Sequence, residues 1–359
     1  MKPVHQLIFW ATALAGILFL VWLFKSMLLP FVLGGAIAYL LNPLVNRLVR
    51  FGAKRRVVVL GILGCFLTVL VALLAIILPI LVREAAGFVD DVPQYAHKIW
   101  LLIEPRIVWI QEKMGQQITA DQIQDAMKEN IGKALQVGKG VLGGLTTGGL
   151  AIVDFFTTIL ITPVVAYFLM KEWPRVTSYV KEMLPKEHEE VIVNLAGQID
   201  GKISGFVRGQ IMVCLCLGLV YAVALSVAGL NYGFLIGLGT GVLSIIPFVG
   251  SAVGLVTSLV VSYLQSGGDI TFIGIIAAIF FVGQFIEGNF ITPKLLGDSV
   301  GLHPLWIIFS LMAGGSLLGL LGMFLSIPVA ASIGVIAGFM IEQYKASAYY
   351  RPQEVGAEK

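Results

Sequence analysis

The chain has 359 residues, 58% of them hydrophobic and only 13% charged, with a mean hydropathy of +0.92. A soluble domain carries about 25% charge, so these residues cannot build a fully water-facing surface, and much of it must face lipid. A net charge of +3 excludes the strongly basic balance of a nucleic-acid binder.

Spanning a hydrocarbon core of about 30 Å takes about 20 apolar residues in a helix. Apolar runs of that kind stand at residues 7–24, 27–46, 57–82 and 146–170, and again at 209–229, 233–264, 270–290 and 305–341. The first follows Met1-Lys2 without a small-residue cleavage site, so it reads as a retained span rather than a removed signal. Between the second and third runs come Arg47, Arg50, Lys54, Arg55 and Arg56 with no acidic residue. The bias of short basic loops places this one in the cytoplasm, and with it both termini, including the tail 346–359. Residues 83–145 are then an extracytoplasmic insert, followed by a span and a cytoplasmic amphipathic helix within 146–208 and a transport core over 209–345. N-terminal spans occupy 1–82.

The insert reads as helical. Ile99, Leu102, Ile103, Ile107 and Ile110 recur at three- and four-residue intervals, and Thr119-Ala120-Asp121-Gln122 suits a capping box opening a helix through Ile131. Ile192, Leu195, Ile199, Ile203 and Phe206 repeat the pattern in the cytoplasmic segment. Such stripes pack on neighbouring helices or offer a face to a partner.

Two later runs are longer than one span needs, and each carries a similar element. Gly241 to Pro247 reads GVLSIIP and is followed by Phe248-Val249-Gly250-Ser251; Gly322 to Pro328 reads GMFLSIP. Proline deletes a helical hydrogen bond, and glycine permits a tight reversal. The two elements are therefore either re-entrant hairpins or kinked spans. Paired broken segments are a pointer to a transporter's binding site.

Catalytic and metal chemistry lacks its parts. There is no phosphate-binding Gly-rich loop ending in Lys-Ser/Thr. His188-Glu189-Glu190-Val191-Ile192 begins like a zinc-protease helix, but Ile192 stands where the second His belongs. Cys65, Cys214 and Cys216 lie in apolar runs and read as buried free thiols. No enzyme, metal or cofactor is expected. Ionisable groups within membrane runs are informative because they are costly there. Glu287, at the end of the run from Ile270 to Ile286, either serves a solute, proton or cation or is a carboxylate paired with Lys294 at the interface; Asn289 lies beside it. Arg208 either snorkels to headgroups or meets a solute, and Gln210 can hydrogen-bond inside the bundle.

At these motifs the chain resembles the AI-2E transporter family, named for exporters of autoinducer-2. The resemblance shows in PFVLGGAIAYLLNP from Pro30 to Pro43, in TPVVAYFL from Thr162 to Leu169, in Arg208-Gly209-Gln210 and in IPFVG from Ile246 to Gly250. It is most specific from Glu287 (EGNFITPKLLGDSVGLHP) through Gly314-Gly315, Gly319 and Gly322 to Ile327-Pro328. It implies a bacterial inner-membrane transporter of about eight membrane segments that assembles as a homo-oligomer. Some relatives look like autoinducer-2 exporters; others are associated with sodium–proton exchange.

The expectation is an all-α polytopic membrane protein with a helical extramembrane insert and two Gly/Pro-broken elements. Its function would be secondary export of a small polar molecule of the autoinducer-2 kind. Pro247, Gly250, Ser251 and Pro328 would shape the pathway, Glu287 and Asn289 would supply polar contacts, and Arg208 and Gln210 would guard the inner entrance. The alternatives are cation–proton antiport, with Glu287 coupling to protons or sodium ions, and a non-transporting membrane scaffold.

Overall fold

The computed structural model describes residues 27–114, 149–296 and 301–347, together with Thr12, Gly16, Leu23, Phe24 and Tyr350. Among them the regular structure is entirely helical. In chain order the elements are α1 (Leu28–Arg50), α2 (Arg55–Met114), α3 (Gly149–Glu182), α4 (Glu189–Val227), α5 (Gly233–Leu243), α6 (Val249–Ser266) and α7 (Ile270–Ile286). A π-helical turn (Glu287–Ile291), α8 (Thr292–Leu295) and α9 (Pro304–Ala346) follow. The run at 7–24 lies almost wholly outside the described residues. So do the Thr119–Gln122 capping box, most of the tail, and the side chains of the stripe from Ile99 to Ile110.

Six of the described helices are long and apolar enough to cross a membrane, and α5 is a shorter apolar helix. The most apolar window of α2 is not buried in the protein at all. Apolar side chains in such number, left uncovered, require lipid as their surroundings. The chain is thus a polytopic all-α membrane protein. The cysteines follow the same logic and differ from expectation: none is in a disulfide, but Cys65 is exposed and Cys214 and Cys216 are only half-buried. Against lipid, an apolar thiol gains nothing by entering the protein interior.

By contacts the chain divides into two units, Met1–Gly64, Thr158–Ile211 and Thr292–Lys359 in the first and Cys65–Thr157 and Met212–Ile291 in the second. In the first unit, Phe206 and Val207 of α4 and Ile327 of α9 form a buried cluster. Tyr39 of α1, Leu296, Ile307 and Phe324 pack around it. Helix α9 has 43 residues but is not one rod: Gly319 is non-helical, with φ 62° and ψ −139°. A Cβ at Gly314 would collide with the carbonyl of Gly322 and reach 2.9 Å from Ser326 Cβ. Residues 12 apart in a straight helix are roughly 18 Å apart along the axis, so the chain doubles back. The outgoing arm, residues 304–318, is about 22 Å long, short of a full crossing. This is a hairpin, as one of the two alternatives has it.

The reversal is not where the motif places it. Pro328 lies inside the returning arm and is buried, and the turn is made by Gly319 instead. The reason is conformational: ψ near −139° at positive φ is accessible essentially to glycine alone, whereas proline can sit in a helix at modest local cost when neighbours absorb the lost bond.

In the second unit α5 and α6 form the other hairpin, turning through residues 244–248. At 11 residues α5 is about 16 Å long and cannot cross. One face of α5 is Gly233, Gly237 and Gly241, a four-residue repeat of small residues that lets helix backbones touch. A Cβ at Gly237 would overlap the Ala222 backbone of α4, and one at Gly241 the backbone of Gly218. The open end of the hairpin is tied to α2. Leu235 N donates to Glu84 Oε2 at 2.8 Å, Tyr232 Oη to Asp91 Oδ2 at 2.6 Å, and Lys98 Nζ to Leu264 O at 3.0 Å. Burial, reinforced by Asp91, raises the Tyr232 phenol above its ordinary pKa.

Candidate functional site

Each unit holds its own group of polar side chains. In the second unit they gather at the hairpin turn and at the π-turn. Thr240 Oγ1 donates to Ile236 O at 2.8 Å, and Ser244 Oγ to Thr240 O at 2.7 Å. These bonds keep the last turn of α5 satisfied where the helix stops. Pro247 lies in the turn and Phe248 leaves it at φ 68°, an unusual conformation for a bulky residue. Gly250 is required by packing: a Cβ there would strike Ser244 N and Oγ. Ser251 Oγ donates to Phe248 O at 3.4 Å, a weak cap. Pro247, Gly250 and Ser251 are thus together at one reversal.

Glu287 opens the π-turn, an element often found at functional positions. Its Oε2 accepts from Gln284 Nε2 at 2.7 Å, while Asn289 Nδ2 donates to Phe285 O at 2.8 Å. One turn earlier Gly283 receives the ring of Tyr221, which is fully buried and stacks on Phe280 with centroids 4.6 Å apart. The Tyr221 hydroxyl makes no hydrogen bond of good geometry among the described residues, and the Gln284 amide, which Glu287 holds, is close enough to act on it.

In the first unit Arg208 Nε donates to Tyr39 O at 2.9 Å, and Tyr39 Oη to Asp200 Oδ1 at 3.0 Å. These three line a cavity of about 80 Å³ with Gly35, Asn42 and Trp173. Gln210, two residues beyond Arg208, is 4% exposed and is engaged in the interior. Pro328 belongs to this unit's core.

Sequence reasoning missed Tyr39, Asn42 and Asp200. A signal was available: Asp200, Ser204 and Arg208 recur every four residues on one face of α4, beside its apolar stripe, and Tyr39, Asn42 and Asn46 share a face of α1. Arg55 also differs from a free loop cation. Its guanidinium donates to Met170 O at 2.8 Å, Asn46 Oδ1 at 2.9 Å and Asn42 Oδ1 at 3.1 Å, binding α1, α2 and α3.

Comparison with known proteins bears on the whole chain. YrrI of Bacillus subtilis (strain 168) is 26% identical over 93% of this chain and 96% of its own length. PerM of Escherichia coli (strain K12) is 26% identical over 88% of each. AI-2 transport protein TqsA of Escherichia coli (strain K12) is 24% identical over 86% of this chain and 85% of its own. The model of the AI-2E family transporter matches residues 7–342, and a match of that extent, on a polytopic helical fold with hairpins, makes the chain a member of the AI-2E transporter family.

Proposed function

We propose that the protein exports a small polar molecule, of the autoinducer-2 class, across the cytoplasmic membrane. The observation that carries this reading is α5, an apolar helix of 11 residues that stops short and reverses. Irregular backbone at membrane depth is tolerated only where protein or a water-filled cavity surrounds it, and a polar solute needs such a cavity. Pro247, Gly250 and Ser251 shape the turn, and Glu287 and Asn289 offer polar contacts on the π-turn. Arg208 and Gln210 line the inner entrance, and Pro328 steadies the returning arm of the second hairpin. Both termini lie in the cytoplasm, residues 83–145 face outward, and the protein works as a homo-oligomer. The name of TqsA supports the choice of substrate class.

The test is efflux from proteoliposomes loaded with autoinducer-2, with and without a proton gradient. Protein-dependent release is the expected result. No release above empty vesicles, from protein shown to be folded, refutes the substrate. A second reading, cation–proton exchange, draws support from Glu287, whose side chain is held, among the described residues, by the neutral Gln284. It requires Glu287→Gln to abolish gradient dependence; an unchanged gradient response removes it.

A further inference from the structure

A second cleft in the first unit, sharing Asn42 and Arg208 with the cavity described above, is lined by Asn42, Pro43, Asn46, Arg47, Arg50 and Arg208, with a volume of about 280 Å³. That is space for roughly nine waters at about 30 Å³ each. Three arginines and two asparagines line it, and no carboxylate does. The two asparagines could present either end of their amides, but Arg55 decides which. It takes both side-chain oxygens, Nη1 to Asn46 and Nη2 to Asn42. An amide whose oxygen is held on one side turns its NH2 to the other. Arg208 gives Nε to Tyr39 O, and its terminal nitrogens have no hydrogen bond among the described residues. No acidic partner of Arg47 or Arg50 occurs among the described residues.

A cleft lined by three arginines and two asparagines whose oxygens are already engaged matches an anion with several acceptor oxygens, and arginine forks suit phosphate in particular. The cleft lies at the last turns of α1, where its apolar run ends. There Leu44, Leu48 and Phe51 are exposed, Phe51 at 87%. Apolar side chains flanking a basic cleft are what a lipid needs, with acyl chains on the side chains and headgroup phosphate in the cleft. Simple snorkelling differs, because it would send each arginine outward separately.

We infer that the cleft of Asn42, Asn46, Arg47, Arg50 and Arg208 is a binding site for a phosphate anion, supplied by an anionic phospholipid headgroup or by free phosphate. The site stands whatever solute the protein carries. The experiment is native mass spectrometry of the full chain in mild detergent, offered phosphatidylglycerol or phosphatidylethanolamine with matched acyl chains, with and without inorganic phosphate. Wild type should retain phosphatidylglycerol at least tenfold better than phosphatidylethanolamine, and Arg47→Gln/Arg50→Gln should lose that excess. Both arginines are exposed, so the variant folds, and an unchanged circular dichroism spectrum checks it. Arg47→Lys/Arg50→Lys keeps the charge without the fork and should fall between. If inorganic phosphate displaces the lipid, or binds alone, the cleft reads phosphate from either source. If the lipid resists displacement, the headgroup with its chains is the ligand. A wild type with neither lipid preference nor phosphate binding overturns the site, as does a preference that survives Arg47→Gln/Arg50→Gln.

Discussion

Replacing Gly237 with alanine tests whether α5 lies backbone to backbone against α4. The new Cβ would overlap N and Cα of Ala222 and C of Tyr221, all main-chain atoms or Cα that no rotamer change can move. Its neighbour on the same face, Gly233, is slightly less tight, with a Cβ 2.8 Å from the Leu225 carbonyl carbon. Ordinary contact begins near 3.4 Å, so the helices must part by about an ångström at Gly237, an overpacking of the kind that costs about 1–3 kcal/mol. Rigid backbone favours the upper end. Alanine also gains about 1 kcal/mol in helix propensity over glycine, leaving a net loss of about 2 kcal/mol. Gly239→Ala is the control: it sits two residues away on the same helix, and nothing lies within 4 Å of its Cβ. It should stabilise by about 1 kcal/mol. The assay is reversible unfolding in mixed micelles by titrated dodecyl sulfate, reading tryptophan fluorescence. Opposite signs for the two variants are expected. Equal stabilities would refute the close approach of α5 to α4.

Three other perturbations follow from the same geometry. Gly319→Ala should destabilise by about 1–3 kcal/mol, because its φ and ψ are essentially closed to an L side chain, and the same titration reads it; a neutral result would mean that the chain does not reverse there. Glu84→Ala removes the acceptor of Leu235 N, so the amides opening α5 should exchange with deuterium several-fold faster, while those of α6 do not change. Tyr232 has a folded pKa raised above its unfolded value. Its contribution is therefore fully present below about pH 10 and is lost as pH rises through the higher folded value. Tyrosinate absorbance in wild type minus Tyr232→Phe should appear only above the ordinary phenol range, and Asp91→Asn should bring it down.

Composition alone makes the membrane class legible here, because lipid-facing surface is a matter of which residues exist rather than of where they meet. The hairpin at α5–α6 is legible for a related reason: the reversal falls on Ser244 to Phe248, a local break within a run too long for one span. The second hairpin is only half legible. Its excess length shows, but the sequence offers Gly314, Gly315, Gly319 and Gly322 as well as Pro328, and only packing decides which glycine turns. Gly314 and Gly322 are needed for close approach, and Gly319 alone takes the forbidden dihedrals. The polar groups of the first unit are the least legible. Arg55 looks like one more loop cation until three acceptors on α1 and α3 surround it, and its effect on Asn42 and Asn46 is a tertiary fact.

The two hairpins resemble each other in sequence but differ in chemistry at their tips. The first turns on Ser244, Pro247 and Phe248, with Thr240 and Ser251 flanking, so hydroxyls and interrupted backbone are concentrated at one place. The second turns on Leu317-Leu318-Gly319-Leu320-Leu321, and its exposed leucines offer a solute nothing to hydrogen-bond. Their shared Ser-Ile-Pro segments therefore do different things. In the first hairpin it is the break itself. In the second it is a buried part of the returning arm, where Ser326 Oγ donates to Met323 O at 2.7 Å and Ile327 joins the core. A polar solute is held by polar groups that can exchange an internal hydrogen bond for one to the solute, and the hydroxyls of the first hairpin, each bonded to a nearby carbonyl, are of that kind. On the export reading proposed above, recognition falls to the first hairpin and the Glu287 π-turn, both in the second unit, and substitutions at Ser251 and Glu287 should alter transport more than any at Gly319 that leaves the protein folded.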